Sequence, residues 1–104
     1  MTMDRLAKLK ELLLENAEDS FARYGLAMEY ARQNRLEESV AEFRTLISSN
    51  PDYVAAYLQA GQALEQLDRS SEAKAIYREG IQAAMRREDM RARGELETAL
   101  SLLD

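Results

Sequence analysis

The sequence predicts an all-α fold built from helix–turn–helix repeats. Three observations carry this. Apolar residues recur at spacings of three and four through six successive segments, the spacing that gathers side chains on one helix face. Short polar breaks with capping or turn chemistry separate the segments. The helix pairs also align with each other when the chain is slid along itself by 34 residues. No segment alternates with period two for long enough to suggest a strand.

The first helix is expected over about residues 3–15, with Leu6, Leu9, Leu12 and Leu13 on one face. Asn16 to Ser20 reads as a break, and Asp19 or Ser20 can cap the next helix by accepting from a free backbone N–H of its first turn. A second helix follows from about Phe21 to Gln33, with Leu26, Ala27 and Tyr30 on one side. Asn34 then suits a helix end, because asparagine tolerates the left-handed conformation. The third helix spans about Leu36 to Ser48, with Val40, Phe43, Leu46 and Ile47 inward. Asn50-Pro51-Asp52 stops it, since proline cannot continue a helix and restricts the residue before it. A fourth helix is expected from about Tyr53 to Leu67, with Tyr57, Ala60, Gly61 and Leu64 on one face. Asp68-Arg69-Ser70 forms the turn, with Ser70 as the N-cap. The fifth runs from about Ser71 to Ala84 and carries Ala73, Ile76, Tyr77, Gly80 and Ile81. The last, about Met90 to Leu103, follows the polar stretch Arg86–Asp89 and presents Leu96, Ala99, Leu100 and Leu103.

At the 34-residue offset Ala22 falls on Ala56, Arg35 on Arg69, Glu38 on Glu72, Arg44 on Arg78 and Ile47 on Ile81. Phe43 meets Tyr77, and Ala27 meets Gly61. The first helix aligns as the second member of a pair, with Leu9 on Phe43, Leu12 on Leu46 and Asn16 on Asn50. The last helix fits poorly at 34, where Gly94, Glu95 and Thr98 would face inward. At 36 it fits well, with Ala60 on Leu96 and Leu64 on Leu100. The expectation is that Arg86–Asp89 lengthens the turn by two residues and that the last helix caps the stack, because each repeat buries its face only against a neighbour.

Composition narrows the chemistry. The chain has 104 residues, with 14 Lys+Arg, 19 Asp+Glu, a net charge of -5, no Cys and no His. That length fits one small domain. Disulfides, thiolate metal sites, cysteine nucleophiles and histidine bases are excluded. Adjacent carboxylates such as Glu37-Glu38 and Glu88-Asp89 point in different directions on a helix and do not converge on an ion. No phosphate loop or nucleophile elbow is present. No catalytic, cofactor-binding or metal-binding residue is therefore assigned. The acidic balance argues against nucleic acid. No apolar run approaches the length of a membrane span, and the start, Met1 to Arg5, lacks an apolar signal core. The expected setting is cytoplasmic.

A helix–turn–helix period of 34 is that of the tetratricopeptide repeat, and the chain resembles that family. The residues carrying the resemblance in the first unit are Leu26, Ala27, Tyr30, Phe43, Leu46 and Pro51. In the second they are Tyr57, Ala60, Gly61, Leu64, Ala73, Tyr77 and Gly80. Arg23, Ser39 and Met85 depart from the pattern. The division is then an N-terminal half-repeat helix over 3–15, repeats over 20–53 and 54–87, and a capping helix over 90–103.

The resemblance implies a right-handed superhelical stack of about six helices, a curved solenoid whose first helices line an inner, peptide-binding face. Carried onto this sequence, that face holds Phe21, Tyr24, Met28 and Arg32, then Ala55, Leu58, Gln62 and Gln66. Phe21, Tyr24 and Met28 make it unusually apolar for a surface. The candidate partner-binding residues are Phe21, Tyr24, Met28, Arg32, Leu58 and Gln62. The expected function is a non-catalytic adaptor that binds a peptide or helix of another protein. The alternative is a homo-oligomeric scaffold, such as a homodimer, that buries the same face. The Lys and Asn with which one subclass of the family holds acidic chaperone tails are replaced by Tyr24, Met28, Leu58 and Gln62. The basic stretch Arg86, Arg87, Arg91 and Arg93 reads as a solvated turn and helix face balanced by Glu88 and Asp89.

Overall fold

A computed structural model describes residues 4–104, which form six α-helices. They are α1 (Arg5–Glu15), α2 (Ser20–Arg32), α3 (Leu36–Ser49), α4 (Ala55–Gln66), α5 (Ser70–Arg86) and α6 (Met90–Ser101). The expected start at residue 3 and the reading of the first three residues lie outside the described residues.

Local chemistry sets most boundaries. Asp4, Asp19 and Asp89 each accept a backbone N–H from the first turn of α1, α2 and α6, from Leu6, Ala22 and Ala92 respectively. Two turns repeat in detail. Asn34 and Asp68 both adopt φ 60°, and the N–H of Arg35 and Arg69 reaches back to the carbonyls of Tyr30 and Leu64. Ser70 is the first residue of α5 rather than its N-cap. Arg69 precedes the helix and binds Glu72 by two guanidinium hydrogen bonds of 2.7 and 2.8 Å. Arg35 does the same with Glu38 at 2.8 and 2.7 Å. The repeated Arg and Glu of the sequence are thus one clasp used twice.

The lengthened turn before α6 is not found. α5 is 17 residues long against 14 for α3, and only Arg87, Glu88 and Asp89 link it to α6. Glu88 takes φ 55°, and the Asp89 N–H returns to the Ala84 carbonyl at 2.8 Å. The extra residues extend the helix by most of a turn, and the link closes like the tight turns within the repeats.

Packing follows chain order, each helix against the next, with α2–α4 and α4–α6 contacts joining alternate members. The assembly extends 45 × 28 × 20 Å, as expected of a stack. One apolar core runs through it from Ala27, Phe43 and Leu46 to Tyr57, Leu64, Tyr77 and Leu96. Small residues bring the paired helices close. Ser39 is buried, and its hydroxyl donates to the Ala27 carbonyl across α2 and α3 at 2.7 Å. Gly61 lies under the ring of Tyr77, and Gly80 against Tyr57 and Leu96.

A smaller cluster of Leu6, Leu9, Leu26 and Tyr30 holds α1 onto α2. On α2, Glu29 is a carboxylate-bearing residue only 8% exposed, which Arg5 approaches at 3.3 Å and Arg32 at 3.5 Å. A buried carboxylate needs such partners to offset its desolvation.

Candidate docking groove

The alternate helices α2, α4 and α6 touch in series along one side of the stack. Between them lies a hollow of about 240 Å3. Tyr24, Val54, Ala55, Leu58, Ala92 and Leu96 give it apolar walls, with Gln59, Asp89 and Glu95 at polar positions. A shallower extension along α4 and α6 passes Leu58, Gln62, Met90, Gly94, Thr98 and Leu102.

The six sequence-predicted residues fall into three groups. Tyr24, Met28 and Leu58 are half-buried, each packing against the core with part of its surface. The Tyr24 ring meets Phe43 edge-on at 6.0 Å between centroids and Tyr53 at 5.4 Å, so the core fixes its orientation. Gln62 is exposed beside Leu58 on the groove extension. Phe21, 79% exposed, Arg32, held toward Glu29, and Met28, packed on the core, do not line the hollow. Tyr24 and Leu58 therefore come together, while Phe21 and Arg32 stand apart from them.

Residues of α6 complete the groove, a role beyond the cap expected of that helix. Its signal was available: carrying the 36-residue offset through Leu58 and Gln62 leads to Gly94 and Thr98, both of which border the extension. Met90 and Leu102 there are 73% and 80% exposed, so apolar surface continues beyond the hollow.

Burial sets the electrostatics of the aromatic wall. Burial raises the phenol of Tyr24 above its ordinary range, and Tyr53 adds to the shift. Burial also raises Tyr53, helped by the carboxylate of Asp19. Both rings stay neutral near pH 7 and act as apolar surfaces with a polar tip. Among the described residues no group of three or more His, Cys, Asp or Glu could hold a metal ion.

A larger hollow of about 520 Å3 lies between α3 and α5, near Arg44, Ile47, Tyr57, Ile76 and Arg86. Both of its arginines and its tyrosine are already engaged, while Ser48, Glu79 and Gln82 complete its polar lining. Arg44 pairs with Glu72 at 2.9 Å, Arg86 with Asp52 at 2.8 Å, and the Tyr57 hydroxyl donates to the Pro51 carbonyl. Arg91 and Arg93 of the basic stretch face Glu95 and Glu97 at 3.5 and 3.2 Å. Exposed pairs of this kind contribute little to stability.

Paired helices with one clasp repeated and an apolar groove along alternate members define a helical-repeat protein. The family model of the tetratricopeptide repeat matches residues 22–53 and 54–84, and the chain belongs to that family. It is similar to a tetratricopeptide repeat domain protein from Salinibacter ruber, solved by NMR, at 32% identity and TM-score 0.80. That match covers 86% of this chain and 90% of the other. A crystal structure of the Salinibacter ruber domain gives 33% identity and TM-score 0.77 over 82% and 94%. A Bordetella parapertussis protein at 22% identity shares the fold, with TM-score 0.83 over 98% and 89%. No curated protein matches the chain. Tetratricopeptide repeats generally mediate protein–protein interaction, and proteins of this fold are typically non-enzymatic. No helix among the described residues is long and apolar enough to cross a membrane.

Proposed function

We propose that the chain is a non-catalytic cytoplasmic adaptor that seats a short apolar peptide, or one face of a helix, in the groove between α2, α4 and α6. The carrying observation is the hollow itself. Its walls are apolar, its aromatic residue is fixed by the core, and exposed Met90 and Leu102 extend it. Such grooves recognise a few apolar anchors in helical or extended partners. The helices that build it also bury the core, so the seat is preformed and ordering costs on binding fall mainly on the partner.

Truncating Tyr24 or Leu58 would remove core contacts as well as groove surface, so blocking is the cleaner test. Ala55 is exposed and lines the hollow. Ala55→Trp is expected to leave the thermal melt within a few degrees of wild type. It should weaken capture of a fluorescein-labelled peptide bearing a central Leu-Phe between glutamines by at least about tenfold. Fluorescence polarisation reads the loss. Equal affinity of the two proteins would contradict the groove. A dimer in sedimentation that Ala55→Trp disperses would favour self-association through this face.

A further inference from the structure

The charges lining the hollow are one-sided, while its extension along α4 and α6 adds one cation, Arg91, beside Glu95. Asp89 and Glu95 are the charged residues lining the hollow, and among the described residues no Lys or Arg lines it. Asp89 spends Oδ1 on the Ala92 N–H, which leaves Oδ2 for a partner. Glu95 meets Arg91 at 3.5 Å, but the Arg91 side chain is 93% exposed, a loose pair that an incoming cation can replace. The acidity continues into the adjoining depression, where Asp52, Glu88 and Asp89 accompany a single cation, Arg87. Nearby, Arg86 is already tied to Asp52.

We propose that the groove's partner is a cationic apolar segment: a large apolar side chain seated among Tyr24, Leu58 and Leu96, with a lysine or arginine beside it facing Asp89 and Glu95. This rests on the groove being the docking seat. Charge complementarity selects the occupant. An acidic peptide would set carboxylates against carboxylates, and a second copy of this chain would bring another net charge of -5. A cation at the lip gains more than on an open surface, because the apolar walls lower the local dielectric.

The test compares three labelled peptides with the same central Leu-Phe, flanked by lysines, glutamines or glutamates, on the wild-type chain and on Asp89→Asn/Glu95→Gln. Asparagine caps helices as well as aspartate does, so α6 should stay folded, which circular dichroism checks. The lysine peptide is expected to bind about tenfold tighter than the glutamate peptide at low salt. That advantage should shrink to about threefold or less in the double variant and in 0.5 M NaCl. Arg91→Ala, which frees Glu95, should tighten the lysine peptide further. Equal binding of all three peptides, or a preference for glutamate, would overturn the cationic partner while leaving the groove in place. Failure of all three to bind the folded wild-type chain would overturn the groove reading and this inference with it.

Discussion

A chain ending at Asp89 should lose its cooperative thermal melt and expose apolar surface. Without α6, the outer side of α5 has nothing against it. Leu96 is 1% exposed, and its Cδ1 would lie 3.1 Å from a Cβ placed at Gly80. Ala99, Leu100 and Leu103 pack against the same core. Full burial of a leucine contributes roughly 1.5–3 kcal/mol. One complete and two partial burials therefore approach the ~5–15 kcal/mol that holds a domain of this size together. Repeats stabilise each other only through their interfaces, so the loss spreads into the second unit. The milder variant Leu96→Ala should remain folded but lose about 2–5 kcal/mol. Its melting temperature should fall by at least about 8 °C. Melts followed by circular dichroism, with a hydrophobic dye as second probe, check both. An unchanged transition in the truncated chain would show that α6 is not part of the cooperative unit.

The second large effect separates two glycines. Gly61→Ala should destabilise the fold by about 1–3 kcal/mol, even though alanine is the better helix former by about 1 kcal/mol. A Cβ at Gly61 falls within 3.0 Å of three ring carbons of Tyr77. The ring cannot step aside. Tyr77 is fully buried, and its hydroxyl is anchored by donating to a Glu65 carboxylate oxygen. Burial, reinforced by that bond, also holds the phenol well above its ordinary range. Gly94, in the middle of α6, has nothing within 4 Å of its added Cβ. Gly94→Ala should therefore stabilise by up to about 1 kcal/mol. Urea denaturation of the two variants beside wild type should give shifts of opposite sign. Two stabilising shifts would mean that α4 and α5 are not in the close contact described.

Much of this architecture was legible in the residues. Leucine and aromatic spacing located all six helices, and Asn34 and Asp19 marked their ends for stated chemical reasons. The aligned Arg35–Glu38 and Arg69–Glu72 pairs are visible in the sequence, although their role as a clasp is not. The tight link before α6 is not legible in the residues, because its turn uses Glu88 in a left-handed conformation that a side chain disfavours and that glycine or asparagine would signal. The burial of Glu29 is not legible either, because it depends on Arg5, 24 positions away, and no local pattern reports that. The groove was half visible. The family resemblance points to Tyr24 and Leu58, but the acidic lip at α6 needs the shifted register and the third helix in space.

The central claim is that the seat lies between α2, α4 and α6, and amide chemical-shift mapping tests it most directly. Titrating the isotope-labelled chain with the lysine-flanked Leu-Phe peptide should move the signals of Tyr24, Ala55, Leu58, Ala92 and Glu95. Those of Arg44, Ile47 and Gln82, between α3 and α5, should stay still. Shifts concentrated at Arg44, Ile47 and Gln82 would contradict the account and move the docking surface to the opposite hollow.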